Sequence, residues 1–306
     1  MNQPDISVVV LSWNTQQLLR ECLAALRLAH GGLRVEAIVI DNASHDGSAD
    51  MVAAEFPETR LQRNSINRGY AGGVNDGIAL ATGEYVLLLG SDTRVATDAL
   101  HRMHDFLLAH PEAGAVAPRL INPDGSIQRA CMRFPSLRTV LYWDTPLQHF
   151  FPECGELRAY QMKEWDHRGT RQVDQPPGTC LLVPRVVIDR VGVMDEQLWL
   201  FFNDVDWALR MTKAKYQLWY LDEAEVVHHL GGSTRHYMDF AAEWHRNRIR
   251  FYRKHFHHLG AFLTKFVLVY VGLRQCVRVK QHLPFGAEYS ANVKQIFGLM
   301  SSALRV

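Results

Sequence analysis

The first 120 residues alternate between short, almost wholly apolar runs and segments whose apolar residues recur at helical spacing. The apolar runs occupy residues 6–12, 35–40 and 84–89. Runs of this kind are typical of parallel strands that are covered by helices on both faces. Helical patterns at 15–29 and 72–81 supply connections of the length that a parallel crossover needs. The sequence therefore predicts an α/β fold with a Rossmann-like, mostly parallel central sheet flanked by helices.

The rest of the chain is less regular. Residues 120–175 are rich in proline and aromatic residues and show no clear periodicity, whereas strand and helix patterns return from residue 180 onward. No internal repeat or low-complexity linker separates these blocks. We therefore predict one α/β domain over residues 1–235 and a basic, amphipathic helical extension over residues 236–306.

The overall composition argues against several classes of protein. Lys and Arg number 33 against 32 Asp and Glu, a formal net charge of +1, so we expect no nucleic-acid partner. The five cysteines include no Cys-x-x-Cys pair, which argues against a disulfide framework or a cysteine-rich zinc site and indicates a reducing compartment. The N-terminal apolar run lacks a preceding basic segment, so we expect no signal peptide and a cytoplasmic location.

The C-terminal quarter has a composition of its own. Between residues 244 and 287 there is no Asp or Glu, while nine Lys or Arg are mixed with Phe, Tyr, Leu and Val. One interpretation is a helix pair that lies on an anionic membrane surface, peripheral on the inner face of the cell membrane. The other is a solvated basic face packed on the main domain. On the first interpretation, binding to anionic vesicles depends on Arg246, Arg248, Arg250 and Arg253.

Polar residues gather where the predicted strands end, which is where open α/β sheets bind their ligands. Ser12 and Asn14 follow the first strand, and Asp41 and Asn42 follow the second. The glycine-rich turn at 67–73 opens a helix, so its backbone amides can approach an anion. No Gly-x-Gly-x-x-Gly follows the first strand and no Walker A motif is present, which argues against a nicotinamide-dependent oxidoreductase.

Two residues at strand ends are candidates for a divalent metal site. Asp92 follows the 84–89 strand, and its carboxylate oxygens suit Mg²⁺ or Mn²⁺. The alternative is that Asp92 only caps a helix beginning near Ala96. His228 ends a later strand, where either it or His229 could complete the site, although a lone histidine is more often structural.

Two acids stand at the start of a predicted helix among large apolar residues. Asn203, Asp204 and Asp206 fit the pattern of a helix cap with favourable first-turn charges. The same residues fit a partly desolvated general base with a raised pKa. The spacing leaves both interpretations open.

Together these segments resemble the inverting nucleotide-sugar glycosyltransferases of family 2, which have the GT-A fold, and in particular their bacterial rhamnosyltransferase-like branch. The resemblance covers residues 6–234. The segments that carry it are residues 8–14, 39–48, 67–77 and 202–210, followed by 227–229.

The resemblance implies a role for each matched residue. Asp204 would be the catalytic general base, and Asp206 the acid two residues later. Asp92 would be the last acid of the metal-binding Asp-x-Asp motif and His228 the distal ligand, with Mn²⁺ or Mg²⁺ as cofactor. The residues expected to bind the nucleotide are Ser12, Asn14, Asp41, Asn42, Asn67, Gly69, Gly72, Gly73 and Asn75.

Two positions depart from the family pattern. The Asp-x-Asp motif is Gly90-Ser91-Asp92, which keeps one acid, and Asn203 stands where the family usually has Glu. The depleted motif leaves a non-catalytic sugar-nucleotide or glycan-binding protein as the alternative, whereas the retained Asp204 favours an enzyme.

The reaction implied by the resemblance is a single displacement with inversion. The sugar would be L-rhamnose from dTDP-L-rhamnose, with UDP-linked sugars as the alternative donors. The acceptor would be a hydroxyl of a cell-surface glycan or of a saccharide linked to polyprenyl diphosphate.

Overall fold

The apolar run at the N-terminus forms a strand that is buried along nearly its whole length and paired in parallel on both sides. The parallel group consists of β1 (Ile6–Ser12), β2 (Val35–Asp41), β3 (Arg60–Arg63) and β4 (Tyr85–Gly90). The register aligns the strand ends, since Ser12 opposes Asp41 and Leu11 opposes Gly90. The computed structural model describes residues 3–143, 145–151, 154–229, 237–282 and 287–306.

Amphipathic helices cover this parallel group. Their apolar faces are buried, as in the first helix, where Leu19, Leu23 and Leu26 lie in the core. The helices are α1 (Gln16–Leu28), α2 (Ser48–Glu55), α3 (Gly69–Leu80) and α4 (Ala99–Ala109). The predicted α/β class is confirmed.

Further strands extend the sheet beyond β4. They are β5 (Thr93–Val95), β6 (Ala113–Ile121), β7 (Arg171–Gln172), β8 (Cys180–Pro184) and β9 (Gln217–His228). β8 runs antiparallel to β4 and β6, β6 runs parallel to β9, and both β5 and β7 pair antiparallel with β9. Within the described ranges the order is β3-β2-β1-β4-β8-β6-β9-β5, with β7 on β9. The second half of the sheet is therefore mixed rather than parallel.

The segment after β4 forms a strand, whereas one alternative from the sequence placed a helix cap there. Thr93 begins a strand, and the next helix begins only at Ala99. The suggestion that Asp92 caps a helix starting near Ala96 is therefore wrong. The physical reason is that the backbone after Asp92 pairs with β9, so that Thr93 opposes His228.

The chain divides into two compact units. The first is built from residues within Met1–Arg133, Trp165–Glu196 and Asn203–Arg235, and it contains the whole sheet. Two further helices belong to it, α8 (Arg185–Val191) and α9 (Asn203–Lys213). The division at residue 235 that the sequence suggests stays a prediction.

The second unit is built from residues within Phe134–Glu164, Gln197–Phe202 and His236–Val306. The segment that the sequence left irregular contributes short helices here. The helices of this unit are α5 (Leu137–Tyr142), α6 (Pro146–Phe150), α7 (Gly155–Tyr160), α10 (Tyr237–His282) and α11 (Ala287–Leu304).

The two C-terminal helices pack closely on each other. Helix α10 is broken at Phe256 and His257, whose backbone angles are not helical. Beyond the break, a Cβ on Gly272 would lie only 2.0 Å from the sulfur of Met300 in α11. A larger residue at position 272 would require the Met300 side chain to move, so α10 and α11 pack closely at this point.

Three of the four arginines expected to bind anionic lipid make contacts inside the second unit. Arg248 is buried and donates to backbone carbonyls. Arg246 pairs with Glu243, and Arg250 donates to the carbonyl of Gln197 at 2.7 Å. These contacts have a structural role within the unit, and binding of these arginines to anionic lipid stays a prediction.

Helix α3 lies unusually close to β1. A Cβ on Gly73 would lie 2.4 Å from the Leu11 side chain, and a Cβ on Gly77 would lie 2.1 Å from the Val9 side chain. The glycines of this helix therefore have a packing function that the sequence interpretation, which assigned Gly73 to the nucleotide, did not include.

Replacing Gly77 with Ala should destabilise the protein by about 1–3 kcal/mol, because the added methyl group overlaps Val9. Urea unfolding measures the change. A Gly77→Ala/Val9→Ala double variant is the control, and its loss should be smaller than the sum of the two single losses. Unchanged stability of Gly77→Ala would contradict the close approach.

Candidate active site

The ends of β1 and β2 bring the first pair of predicted site residues together. Ser12 is fully buried, and its hydroxyl lies 3.1 Å from that of Thr15. Asp41 accepts the backbone N–H of Ser44 through one carboxylate oxygen. Its other oxygen, Oδ1, is buried without a hydrogen-bond partner in the described part of the chain. This corner therefore holds a buried acceptor whose hydrogen-bonding capacity is unused by the described residues.

A network of amide side chains fixes the turn before α3. The Asn42 side chain donates to Asn67 at 2.9 Å and to the carbonyl of Gly69 at 3.0 Å, and it accepts the backbone N–H of Arg68. Asn67 in turn accepts the N–H of Gly69. The turn is thus rigid before any ligand binds, and Gly69, with φ +73°, adopts the left-handed conformation that glycine favours.

The other predicted nucleotide-binding residues make contacts with neighbouring protein groups. Asn14 is exposed and accepts the backbone N–H of His45 at 2.8 Å. Gly72 faces the Arg68 side chain, and Gly73 faces β1. The side-chain amide of Asn75 donates to the carbonyl of Met194 and to the carboxylate of Glu196, so it links α3 to the segment after α8. These contacts are structural, and a role in binding a nucleotide stays a prediction.

The pairing of β5 with β9 brings Asp92 and His228 together. Nε2 of His228 lies 3.7 Å from Oδ1 of Asp92, and both residues are largely buried. The ring of His228 thus faces the carboxylate, while His229 donates its backbone N–H to the carbonyl of Asp92 at 2.9 Å. Among the described residues no third His, Cys, Asp or Glu joins them.

Gln128 sets the orientation of the His228 ring. Its amide nitrogen donates to Asn122 and to the carbonyl of His228, each at 2.7 Å, so its oxygen is the group that faces Nδ1 of His228, 2.8 Å away. Nδ1 must therefore carry the proton. Because burial lowers the pKa of His228, the ring is neutral near pH 7 and Nε2 presents a lone pair to Asp92.

Gly90 occupies a tight position in the motif before Asp92. A Cβ at this position would lie 2.9 Å from Oδ1 of Asp92 and 3.2 Å from the Thr179 methyl group. A second carboxylate cannot fit here without moving the first.

The two acids of α9 have different surroundings. Asp206 is fully buried and pairs with Arg210 at 2.9 Å, and Arg210 also donates to the carbonyls of Val191 and Val193. Asp206 is therefore a structural residue. Asp204 has no ion-pair partner in the described ranges, and its Oδ1 accepts only the N–H of Val205.

Asp204 is crowded by neighbouring backbone but keeps partial solvent exposure. The backbone of Gly178 packs on its carboxylate so closely that a Cβ there would lie 3.0 Å from Cβ of Asp204. Crowding by protein removes water, so burial raises the pKa of Asp204. Of the two interpretations of this helix start, these surroundings favour the general base.

Tyr70 contacts the same backbone residue, Gly178, that packs on Asp204. Its hydroxyl donates to the carbonyl of Gly178 at 2.7 Å. Burial raises the pKa of Tyr70 far above its usual range, and the negative charges of Asp204 and Asp92 both add to the effect. The charges of both carboxylates therefore act on the same buried side chain.

Sequence analysis missed three residues of this arrangement. Tyr70 was within a quoted motif without a role. Gly178 is preceded by two prolines directly before a buried strand, a signal of a fixed turn that could have been noted. Gln128 lies in an irregular segment, and no sequence signal points to it.

The fold is that of an α/β protein with polar residues at the ends of its parallel strands, and comparisons with known proteins identify its family. The sequence profile of glycosyl transferase family 2 matches residues 7–166. The chain is also 30% identical over 241 residues to the N-acetylglucosaminyl-diphospho-decaprenol L-rhamnosyltransferase of Mycobacterium tuberculosis, covering 75% of this chain and 77% of that protein. A shorter match, 37% identical over 101 residues, is the succinoglycan biosynthesis protein ExoO of Rhizobium meliloti, covering 33% of this chain and 29% of that protein.

A solved structure supports the same fold. The mannosyltransferase PcManGT of Pyrobaculum calidifontis, in complex with GDP-Man and Mn²⁺, superimposes with a TM-score of 0.56 at 18% identity, covering 99% of this chain and 86% of that one. The protein belongs to glycosyl transferase family 2 and is a nucleotide-sugar glycosyltransferase. The resemblance and the GT-A fold that the sequence predicted are confirmed.

Replacing Asp204 with Asn should raise the melting temperature at pH 7. The pKa of Asp204 is raised above its ordinary value of 3.8. Its contribution to the free energy of unfolding is therefore fully present below pH 3.8 and is lost as the pH rises through the folded-state pKa, so that at pH 7 this contribution is absent. The advantage of the Asn variant should therefore shrink as the pH falls towards 4.

Asp206→Asn, on the same helix, is the matched control for the thermal measurement. It should lower the melting temperature at pH 7, because Arg210 loses its buried partner. A lower melting temperature for Asp204→Asn as well would show that the two acids have the same structural role.

Proposed function

We propose that this protein transfers L-rhamnose from dTDP-L-rhamnose onto a hydroxyl of a saccharide carried on polyprenyl diphosphate, with inversion at the anomeric carbon. The observation that carries the proposal is Asp204, a crowded carboxylate with a raised pKa and, in the described ranges, no cationic partner. Such a group accepts a proton more readily than an ordinary aspartate does.

The corner formed by Ser12 and Asp41 is the proposed site for the base and ribose of the donor. The buried Oδ1 of Asp41 would accept a hydrogen bond from an imide N–H, which thymine and uracil both carry. The rigid turn held by Asn42 and Asn67 would border the same nucleotide. The contacts proposed for Asn14, Gly69, Gly72, Gly73 and Asn75 rest on the family resemblance alone.

Asp92 and His228 are the proposed ligands of Mn²⁺ or Mg²⁺. A carboxylate oxygen and an imidazole lone pair face each other at 3.7 Å, an arrangement of two acceptors that a cation between them would stabilise. Two protein ligands suffice where the substrate diphosphate supplies others. When bound, the ion would offset the negative charge that develops on the leaving diphosphate. The Mn²⁺ in the mannosyltransferase complex supports this proposal.

The chemical step needs one proton transfer by the protein. The acceptor hydroxyl oxygen forms a bond to the anomeric carbon while the bond from that carbon to the diphosphate oxygen breaks. The hydroxyl proton passes to the carboxylate of Asp204. Attack from the face opposite the diphosphate inverts the configuration, and the remaining contribution of the protein is to hold the reactants in line.

The rhamnose donor and lipid-linked acceptor are inferred from a relative. The mycobacterial relative is named for an L-rhamnosyl product on N-acetylglucosaminyl-diphospho-decaprenol. Sugar nucleotides and carriers of this kind meet at the inner face of the cell membrane, so we place the enzyme in the cytoplasm at that surface. A UDP-sugar donor is the alternative.

Asp204→Asn should fold and lose transfer activity by about 10²- to 10⁴-fold, because the hydroxyl proton then has no acceptor. Release of nucleotide diphosphate is measured from dTDP-, UDP- and GDP-sugars with Mn²⁺ or Mg²⁺ and a lipid-linked saccharide extract. Release from dTDP-L-rhamnose alone supports the proposed donor, and the configuration of the product tests inversion.

Near-normal turnover by Asp204→Asn would exclude the general-base role. No release from any donor by the folded wild-type protein, with donor binding retained, would favour the sugar-nucleotide-binding alternative. Preference for a UDP-sugar would overturn the assignment of dTDP-L-rhamnose as the donor and would leave the proposed mechanism unchanged.

Gln128→Leu should weaken Mn²⁺ binding by about 10- to 100-fold, because His228 loses the partner that fixes its tautomer. Electron paramagnetic resonance of free Mn²⁺, with dTDP present, measures the affinity without turnover. Gln172→Leu, at an exposed glutamine, is the control and should bind Mn²⁺ normally. Wild-type affinity in folded Gln128→Leu would contradict the role of Gln128.

A further inference from the structure

Helix α10 exposes a continuous row of large apolar side chains after its break at His257. Each is between 43% and 65% exposed. Their spacing of three or four residues places them on one helical face. We call this row the apolar stripe, and it consists of Leu259, Phe262, Phe266, Tyr270, Leu273 and Val277.

The opposite face of the same helix is buried against α11. Leu268 and Thr264 are almost fully buried, and Gly272 contacts Met300. Between residues 259 and 277 the helix rises about 27 Å, at 1.5 Å per residue. The stripe is thus long, straight and directed away from the packed interior of its unit.

We infer that the apolar stripe docks on the surface of an anionic phospholipid membrane, with α10 lying in the plane of the interface. Apolar patches of this extent on soluble chains mark interaction sites. The flanking charges decide the kind of partner: Arg253, Lys254 and Lys280 are exposed, Arg274 is partly exposed, and no carboxylate occurs between residues 244 and 287. Anionic headgroups complement these cations.

A second copy of this chain fits the stripe less well. Two stripes in contact would place the cations of one copy beside those of the other, with no carboxylate in this segment to balance them. The charge pattern therefore favours lipid over self-association.

The same features argue against a helix that crosses the membrane. By length and composition the stretch Phe240–Val277 could span a bilayer. However, Lys265 donates to the carbonyls of Leu304 and Val306, and Arg248 is buried by other residues of the unit. A spanning segment would have to give up these contacts, whereas docking along the stripe keeps them.

The inference deepens the proposed function, because it rests on that proposal for the lipid-linked acceptor. It identifies the surface through which the enzyme reaches a substrate held in the membrane. The stripe itself is an observation that stands without any assignment of donor or sugar.

The test measures binding of the full chain to vesicles of phosphatidylcholine containing about one-quarter phosphatidylglycerol. Phe262→Glu/Phe266→Glu should lower the vesicle affinity by about tenfold or more, because two phenyl groups that would enter the lipid are lost and repulsive charge is added. Arg274→Gln should lower it less. The wild-type protein should bind pure phosphatidylcholine vesicles several times more weakly.

The matched control is Leu28→Glu/Leu108→Glu, two exposed leucines on α1 and α4 that are outside the stripe. It should bind vesicles like the wild type. Circular dichroism verifies the fold of each variant, and nucleotide diphosphate release with a detergent-solubilised acceptor verifies that Phe262→Glu/Phe266→Glu keeps its transfer activity.

Three results would overturn the inference. They are no binding of wild-type protein to anionic vesicles, undiminished binding by the Phe262→Glu/Phe266→Glu variant, and a wild-type dimer in sedimentation that this variant converts to monomer. Because vesicle binding needs no donor, its failure is separable from failure of the proposed transfer reaction.

Discussion

The arrangement of the first unit depends on the burial of β1 between β2 and β4. Each neighbour pairs with it in parallel and in a register that ends all three strands at the same level. That register is why Ser12, Asp41 and the segment after Gly90 meet at one edge. Helix α3 then packs on β1 through glycines, and this contact fixes the turn that carries Asn67 and Gly69.

The parts of the fold that were predicted well from the sequence are those where the apolar residues follow one clear pattern, either a continuous run or a helical spacing. The run at 6–12 and the helix starting near residue 15 bury whole faces, so their patterns are strong. β6 was missed because Gly114 and Pro118 interrupt it and alanines fill much of the remainder. β5 has three residues and forms only because β9 offers a partner distant in the sequence.

The candidate site was predictable to the same degree and for the same reason. Asp92, His228 and Asp204 stand at the ends or starts of regular elements, so their positions could be predicted from the sequence pattern. Their partners Gln128 and Gly178 could not be predicted in this way, because they lie in irregular segments and act through tertiary contacts. The structural use of Asp206 likewise depends on Arg210 and the carbonyls beyond it, which spacing alone does not reveal.

Charge counts in the C-terminal quarter do not show which groups the cations contact, because that depends on the direction of each side chain. Arg246, Arg248 and Arg250 are used within the second unit, whereas the apolar residues of α10 are displayed outward. The glycine contact between α10 and α11 has a thermodynamic consequence for that display. Because α10 already packs on α11 at Gly272 and Met300 in the folded chain, the conformational entropy of this helix is lost during folding and is not lost again on docking. A rigid platform of this kind needs less contact area to reach a given affinity than a segment that becomes helical only on binding.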